Sequence, residues 1–336
     1  MTLNYAAWQV NVHDFQNCLT QEEKLKFLLK FAVLAPSSHN SQPWRFEIGP
    51  SHIAIFPEFK RSLPQSDTNH RQLYISLGCA LENILIAAYY FGFQTEVIYF
   101  PDGENEACAI RVQCAESSPK NKNDGHLISA ILKRHTNRNQ YRTELPPLDF
   151  LNQIQTWGNN EISIHLVGEP EEKNKIAEVV IKAGIAAMDD TGFRAELSEY
   201  VKNNLTKSPI GMPAFGMGIP TPISLLAPHM LKRLNMNRMS QKKDTALLKN
   251  HTPLFAIIAT KEDDKKNWLK SGQLYEKIAL EATALGIDTN VMAAGIQIGE
   301  FYKELQKILQ TDYRPQIFFR MGYAVKPTKH SPRISP

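Results

Sequence analysis

The residues best suited to bind a ligand form one short segment near the N-terminus, residues 35–46, which reads Ala-Pro-Ser-Ser-His-Asn-Ser-Gln-Pro-Trp-Arg-Phe. Its polar side chains are those of Ser37, Ser38, His39, Asn40, Ser41 and Gln42. Most of these groups can both donate and accept hydrogen bonds, so the loop can present hydroxyls and amides to a flat ligand with polar edges. An ordinary connection between a helix and a strand would use the same residue types. Both interpretations stay open on these residues alone.

The elements on either side must position this loop. Thr20 and Glu23 have the spacing of a capping box, which predicts that a helix begins there. Its apolar residues recur on one face, at Leu25, Leu28, Leu29 and Ala32. Pro36 ends the helix, since the residue before a proline is pushed out of the α region. From Pro43 onward the sequence predicts a strand.

Two long segments repeat each other at an offset of 194 positions. Gly78 to Thr95 aligns with Gly272 to Thr289, with six identical residues. Each segment predicts one long amphipathic helix that ends at a glycine. The first is followed by the extended run Thr95 to Phe100, and we expect the second to lead to a short helix at Tyr302 to Leu309. Two unrelated core helices could also show this similarity.

Helices and strands interleave without strict βαβ alternation. This pattern predicts an α+β fold with mainly antiparallel sheets. The further strands expected are Ile53–Phe56, Ala109–Val112, Ile162–Val167, Pro253–Ile258 and Gln316–Phe319. A length of 336 residues favours two units. We place the boundary in the Ser/Lys/Asn-rich stretch from Glu116 to Gly125, which divides the chain into residues 1–120 and 121–336.

Composition narrows the class of protein. Hydrophobic residues make up 43% and charged residues 21% of the chain, as in globular proteins with a substantial core. The net charge of +4 is scattered and has no Lys/Arg run, so nucleic acid is not an expected partner. Four cysteines without a C-x-x-C pair and an N-terminus without a signal peptide predict a cytoplasmic protein with reduced thiols. The apolar runs are too short for a membrane span, so no membrane partner is expected.

Motifs of other enzyme classes are missing from the sequence. There is no G-x-S-x-G elbow, no H-E-x-x-H or clustered Cys/His pattern, and no Walker sequence. Gly216 and Gly218 are followed by Pro220 and lack the third glycine of a dinucleotide fingerprint. A serine hydrolase, a metal site and a Rossmann domain are therefore not predicted.

The loop at Pro36 resembles the flavin-contacting loop of the FMN-dependent nitroreductase superfamily. Further segments are similar to its Acg-like branch, in which one chain carries two nitroreductase-like halves. Those segments are Leu63–Asp67 with Arg71, Ile75–Ala80, Arg134–Arg138, Arg314–Ile317 and Met321–Tyr323. The resemblance runs from Glu22 to Arg333 and is looser between Pro170 and His251. It implies a nitroreductase-like α/β sandwich whose halves form an internal pseudodimer.

The resemblance also implies FMN as cofactor and names its contacts. The ring would lie on the loop residues Pro36, Ser37, Ser38, His39, Asn40 and Gln42. The segment from Arg134 matches the family's Arg-Ser-x-Arg element, with Thr136 in place of the serine. Arg134 would hold phosphate or ribityl oxygens, Thr136 would add a hydroxyl, and Arg138 would reach the pyrimidine edge. Arg333 falls where the family returns a basic residue to the phosphate. A solvated basic helix end and a solvated tail are the alternatives.

Two departures from the family pattern have consequences. The family provides a backbone N–H near Gly295 for the flavin N5 and usually has an acidic residue just before it, where this chain has Ala294. That change puts the N5 contact and the tuning of the flavin potential in question. The first half has the polar loop but no arginine element. The second half has the arginine element but no such loop, and Ser208 to Gly211 is its nearest counterpart. One FMN per chain follows, and a monomer would suffice.

An irregular apolar segment, residues 205–237, is predicted to be a lid. Residues 208–222 hold four prolines and three glycines among apolar side chains. Prolines deny the segment a regular helix or a central strand, and its apolar side chains favour burial. Long irregular segments inside compact chains usually serve function. The lid would fold over the flavin; a loop packed on the core away from any ligand is the alternative.

The sequence thus predicts an FMN-binding oxidoreductase of nitroreductase type. NAD(P)H or another small-molecule reductant would reduce the bound flavin, and a nitroaromatic, quinone or similar planar acceptor would reoxidise it. An FMN-storing flavoprotein with little turnover is the first alternative, and a structural protein that has lost the ligand is the second.

Overall fold

The computed structural model describes residues 3–104, 107–117, 125–235 and 237–336. The predicted boundary at residues 120 and 121 lies outside these ranges. The helices are α1 (Gln21–Ala32), α2 (Arg71–Tyr90), α3 (Gly125–Lys133), α4 (Leu148–Gln155), α5 (Pro170–Asp189), α6 (Thr191–Tyr200), α7 (Thr221–Ser224), α8 (Ala227–Arg233), α9 (Asn237–Thr245), α10 (Lys265–Ala284), α11 (Ala294–Gln297) and α12 (Phe301–Leu309). The strands are β1 (Trp44–Ile48), β2 (His52–Pro57), β3 (Phe93–Tyr99), β4 (Ile110–Glu116), β5 (Ile162–Val167), β6 (Val201–Lys202), β7 (Met212–Pro213), β8 (Leu254–Thr260), β9 (Asp288–Val291) and β10 (Arg314–Gly322).

Helix α1 begins as the sequence predicts and ends four residues before Pro36. The Thr20 hydroxyl accepts the backbone N–H of Glu23 at 3.2 Å, and the Glu23 carboxylate accepts the N–H of Thr20 at 2.9 Å. Those two bonds satisfy N–H groups that a helix start otherwise leaves unpaired. The predicted apolar face is buried, together with Phe27 and Phe31. Because the helix stops at Ala32, four residues before Pro36, the chain turns directly into the polar loop.

Two four-stranded antiparallel sheets share one strand order. The first sheet runs β1-β2-β4-β3 and the second β5-β8-β10-β9, so that in each the fourth strand lies between the second and the third. In each half the long helix, α2 or α10, connects the second strand to the third. The fold is therefore α+β with antiparallel sheets, as predicted, and its two halves repeat the same topology.

The long helices of the two halves cross at the glycines that defined the repeat. A Cβ added to Gly78 would lie 2.0 Å from the carbonyl oxygen of Leu269. A Cβ added to Gly272 would lie 2.0 Å from the carbonyl oxygen of Ile75. Since backbone atoms cannot move aside as a flexible side chain can, the crossing admits only hydrogen at these two positions. The sequence repeat thus has a packing reason.

Helix α2 alone, among the described helices, is long and apolar enough to cross a bilayer. Most of its side chains are buried, from Arg71 to Ala88. They form one hydrophobic core with residues of α1 and α10. Its apolar composition is accounted for by that core.

The second half contains a strand that the sequence analysis missed. We expected the chain to pass from the second long helix to a short helix, and α12 is indeed present at Phe301–Leu309, but β9 comes first. Asp288 and Asn290 are poor strand formers. Pairing with β10 imposes the strand, with Val291 opposite Phe319 and Asp288 opposite Gly322. Tertiary context overrides local preference here.

Candidate functional site

The loop after α1 has an unusual backbone. Residues Ser38–Asn40 form a single 3-10 turn, and three non-glycine residues have left-handed backbones: His39 at φ 51°, Asn40 at 56° and Gln42 at 52°. Such conformations cost energy for L-residues and persist only where the surroundings impose them. Strained backbone of this kind clusters at functional sites. No feature of the sequence predicted these left-handed backbone conformations.

Asn40 and Gln42 hold this loop to two distant segments. The Asn40 amide donates to the carbonyl oxygens of Gly211 and Pro332, both at 2.9 Å. The Gln42 amide donates to the Pro209 carbonyl at 2.7 Å, and its oxygen accepts the N–H of Ile334 at 2.8 Å. The side-chain amides of both predicted site residues are therefore hydrogen-bonded to other parts of the protein. Gln42 is fully buried and lines neither of the cavities described next.

One cavity, here called the basic cavity, gathers most of the predicted site. Its empty volume is about 410 Å³. Its lining residues are Trp8, Pro36, Ser37, Asn40, Arg134, His135, Thr136, Arg138, Met212, Lys329, Ser331 and Arg333. Seven of the eleven residues predicted to bind the cofactor are among them, from both halves and from the C-terminal tail. The lining carries three arginines and one lysine and no carboxylate, which suits an anion.

Arg134 is buried at the base of this cavity. Its side chain is 2% exposed, and its Nη2 donates to the Leu34 carbonyl at 3.3 Å. Its Nε lies 3.3 Å from Oε1 of Glu276, close enough for an ion pair but not aligned for a hydrogen bond. Burial raises the pKa of Glu276 to about 7, while Arg134 and Arg333 act to lower it. Within the described residues, Nη1 of Arg134 has no hydrogen-bond partner.

Arg333 lies beside Arg134. Its guanidinium donates to the carbonyl oxygens of Leu34 and Ala35 at 3.3 and 3.1 Å and lies over the Trp8 ring, 5.2 Å from the centroid. Burial, and then the charge of Arg134, lowers the pKa of Arg333 to about 9. Its Nε is buried with no hydrogen-bond partner in the described structure. The tail residue is therefore part of the cavity and not a solvated end.

The two guanidiniums test the fit of a phosphate. Each has a buried N–H that no other described residue accepts, and such groups are costly to leave unpaired. Glu276 can balance only one of the two positive charges. A phosphate dianion would accept from both and supply the missing charge, since arginine bonds to phosphate are charge-assisted. The donor set fits such a group.

A second cavity opens on the other side of the same loop. Its lining residues are Ser38, His39, Leu63, Ser66, Asp67, Gln72, Ala187, Phe193, Ala293, Ala294, Gln297 and Ile298, around an empty volume of about 520 Å³. Burial, and then the charge of Arg138, lowers the pKa of His39 to about 4, which leaves a neutral imidazole at neutral pH. Gly295 is buried behind this wall, where an added Cβ would lie 3.0 Å from Val180. Its neighbours Ala293 and Ala294 face the cavity.

Asp67 supports the wall of this second cavity. Its carboxylate accepts the backbone N–H groups of Gln72 and Leu73 at 2.9 Å and the amide of Gln297 at 3.2 Å. Burial raises the pKa of Asp67 above its usual range. Arg71 bonds Gln297 and the Gln316 carbonyl, the latter at 2.6 Å. Asp67, Arg71 and Gln316 belong to segments that resemble the family but had no predicted role. The structure joins them in one hydrogen-bond network that supports the cavity wall.

The predicted lid segment, residues 205–237, lies against the loop and Arg138. The Gly211 N–H donates to the Asn40 carbonyl at 3.2 Å, and Met212 lies with its sulfur 3.5 Å from Nη2 of Arg138. Arg138 is half-buried, and burial lowers its pKa. In residues 208–220 the structure shows only the two-residue strand β7 and a 3-10 turn at Ala214–Met217. Ser208–Gly211, the nearest loop counterpart in the second half, packs on the first loop.

The sequence did not predict Trp8, which lines the basic cavity, or Glu276, which pairs with Arg134 behind it. Trp8 arrives from a 3-10 helix, Leu3–Trp8, that has no apolar periodicity to reveal it. Its indole N–H donates to the Ser331 carbonyl at 2.8 Å, which ties the N-terminus to the tail. Glu276 stood in the repeat as the mate of Glu82, but nothing local showed that it would face Arg134. Contacts between such distant segments leave no spacing pattern.

The chain is similar to known proteins both in structure and in sequence. No family model matches the chain. Two solved structures with similar elements are a nitroreductase with bound FMN from Desulfitobacterium hafniense DCB-2 (15% identity, 63% of this chain and 94% of that one, TM-score 0.38) and the FMN and NADPH-dependent nitroreductase NfnB from Sphigopyxis sp. strain HMH (15% identity, 62% and 94%, TM-score 0.42).

Sequence relatives are found in Mycobacterium tuberculosis. "Putative NAD(P)H nitroreductase Rv3131" is 24% identical over 304 residues, which span 90% of this chain and 86% of the relative. "Uncharacterized protein Rv3127" is 24% identical over 88% of this chain and 87% of the relative. "Putative NAD(P)H nitroreductase acg" is 22% identical over 89% of each. These matches run through both halves, so the chain is similar over about nine tenths of its length to proteins named as putative nitroreductases, which confirms the resemblance that its motifs predicted.

Proposed function

We propose that the chain is an FMN-binding oxidoreductase of nitroreductase type. NAD(P)H or another small-molecule reductant would reduce the bound flavin, and a nitroaromatic, quinone or similar planar compound would reoxidise it. The observation that carries the proposal is the basic cavity, where the buried guanidiniums of Arg134 and Arg333 each have an N–H that no described residue accepts, next to the loop that resembles the flavin-contacting loop. The names of the sequence relatives support the reaction class.

The residues that would hold FMN come from both halves. Arg134 and Arg333 would bind the phosphate and Thr136 would add a hydroxyl. Arg138 would face the pyrimidine edge. Ser38 and His39 line the second cavity opposite Ala293 and Ala294, so the ring would lie on that side of the loop. The roles are those that the family resemblance implies, and the lining residues and charge of each cavity support them.

When bound, FMN would supply the hydride and electron chemistry, and the chain supplies placement and charge. Arg138 would hold a positive charge near the pyrimidine edge, where reduction places negative charge. His39, neutral at neutral pH, adds no second charge there. Residues 205–237 would limit the access of water and of large donors. The backbone at Ala293–Gly295 would face the reactive edge of the ring.

One FMN per chain is part of the proposal. The loop counterpart in the second half, Ser208–Gly211, is engaged by Asn40 and Gln42 of the first loop. It therefore contributes to the same site. Since the two halves already supply both elements of one site, a monomer in the cytoplasm would be competent.

An FMN store with little turnover is the second candidate, and one observation favours it. The lid segment is tied to the loop by bonds from Asn40 to Gly211 and from Gln42 to Pro209. A lid held this way would exclude a nicotinamide donor. Transient reduction kinetics separate the two functions: rapid reduction by NADH or NADPH and reoxidation by a quinone support the enzyme, and reduction by dithionite alone supports the store.

The first experiment is the flavin content of the purified protein. We expect a flavin absorbance band, or uptake of added FMN, at one equivalent per chain. Protein that stays colourless after incubation with FMN would overturn both candidate functions. Two equivalents at saturation would overturn the single-site assignment.

A further inference from the structure

The outer surface of residues 205–237 is apolar to an unusual degree. Of the twelve exposed large hydrophobic side chains in the described structure, five lie on it: Leu205, Ile223, Leu225, Leu226 and Leu234, each between 51% and 69% exposed. The backbone N–H of Asn204 donates to the Ser224 hydroxyl at 3.0 Å, which brings Leu205 beside Ile223 and Leu225. Exposed apolar groups gathered in this way mark interaction sites.

A different set of side chains, on the inner face of the same segment, packs it against the protein. Ala227 and Leu231 of α8 belong to a small cluster with Val201 and Met212, which seats the helix on the lid. Leu226 and Leu234 lie outside that cluster and in solvent. The exposed leucines are therefore not needed to hold the segment in place.

The sequence of this segment carries charge of one sign, and Asp189 of α5 accepts from its Asn235 amide at 2.8 Å. Between residues 201 and 243 the sequence has seven lysines and arginines and no aspartate or glutamate. The whole chain carries +4, so the remainder carries −3. Lys207, Lys232 and Arg233 are exposed next to the exposed leucines in the chain. A basic, apolar surface of this kind is typical of protein segments that lie on anionic membranes.

We propose that this surface docks on an anionic lipid bilayer, with the exposed leucines in the headgroup and acyl boundary and the lysines and arginines on lipid phosphates. The attachment is peripheral, so it needs no membrane span, and it departs from the sequence-based expectation of no membrane partner. A second copy of the chain fits less well. A two-fold interface would place two basic segments against each other, and like charges oppose such contact.

The test is cosedimentation of the full-length protein with vesicles of phosphatidylcholine, with and without phosphatidylglycerol. We expect binding to the anionic vesicles only, weakened by salt. Lys232→Ala with Arg233→Ala should weaken binding by on the order of 30-fold, from about 1 kcal/mol per basic residue near an anionic surface. Leu225→Ser with Leu226→Ser should also weaken it strongly.

The matched control is Leu145→Ser with Leu148→Ser, which alters two leucines that are 52% and 70% exposed elsewhere on the surface. It should bind vesicles as the wild type does. Wild-type protein that ignores anionic vesicles would overturn the proposal, as would equal losses in the control. Two further results would overturn the proposal. One is a wild-type dimer that does not bind vesicles and that dissociates in the Leu225/Leu226 variant. The other is binding of this surface to an acidic protein instead of lipid. FMN content plays no part in the readout.

Discussion

Arg134 and Arg333, 199 positions apart in the sequence, both donate to the carbonyl oxygen of Leu34 at 3.3 Å. Leu34 lies just after α1 and just before the polar loop. The Leu34 carbonyl, at the start of the first-half loop, thus accepts from two arginines. Arg134 comes from the second half and Arg333 from the C-terminal tail. Two guanidiniums that share one acceptor repel each other unless an anion joins them, and Glu276 is the carboxylate paired with Arg134.

This relationship makes Arg134→Ala the sharpest test of the phosphate assignment. We expect FMN affinity to fall by about 10- to 150-fold, because a charge-assisted hydrogen bond contributes about 1.5–3 kcal/mol. Ser37→Ala should cost less, since the Ser37 hydroxyl already accepts the N–H of Gln42. Fluorescence titration measures both. The double variant Arg134→Ala with Glu276→Gln removes the carboxylate left unpaired, and wild-type affinity in it would refute the assignment.

The lid hypothesis predicts faster flavin reduction when residues 212–218 are deleted. The deletion removes Met212 beside Arg138 and leaves the bond from Gln42 to Pro209 in place. Stopped-flow reduction by NADPH and by dithionite should both speed up, with the larger gain for the bulkier donor. Unchanged rates in a variant that still binds FMN would end the lid hypothesis.

Glu82 predicts a pH dependence of stability. Burial raises the pKa of Glu82 to about 7 in the folded protein, from an ordinary value of 4.5. The folded chain therefore holds a proton that the unfolded chain releases, and the free energy of unfolding falls as pH rises from about 4.5 to about 7. Glu82→Gln should reduce this slope, to which Glu276 also contributes because burial raises its pKa to about 7. The variant should be more stable than the wild type above that window.

Urea unfolding at several pH values between about 5 and 8 measures this slope, which can reach about 1.4 kcal/mol per pH unit for one proton. Glu96→Gln, at an exposed position on β3, is the matched control and should leave the slope unchanged. An identical slope in wild type and Glu82→Gln would show that another group carries the dependence.

Two glycine-to-alanine changes should have opposite effects on stability, because only one of the glycines lies at the helix crossing. Gly78→Ala places a Cβ against the Leu269 carbonyl and should destabilise the fold by about 1–3 kcal/mol or more. Gly184→Ala, inside α5, places its Cβ 3.8 Å from the nearest atom and should stabilise by about 0.5–1 kcal/mol. Denaturant midpoints of the two variants test this. A neutral Gly78→Ala would mean that the helices can separate at little cost.

The sequence predicts those parts of the molecule that local patterns encode. The capping box located the start of α1, and short apolar runs located most strands of both four-stranded sheets. Nine of the eleven predicted cofactor residues line one of the two cavities; Gln42 and Gly295 do not. The left-handed backbones of the loop, strand β9 and the position of Trp8 could not be predicted. Each is imposed by contacts with distant segments, which leave no periodicity behind.

The crossing of α2 and α10 also sets an order of events during synthesis. Helix α2 leaves the ribosome long before the residues of α10 that cover it, because the glycines that meet are 194 positions apart. At about 5–20 residues per second, that interval lasts about 10–40 s. Throughout it, the one described helix that is long and apolar enough to cross a bilayer lacks its partner. A newly made chain would need protection against aggregation for that time, and a truncated first half would need it permanently.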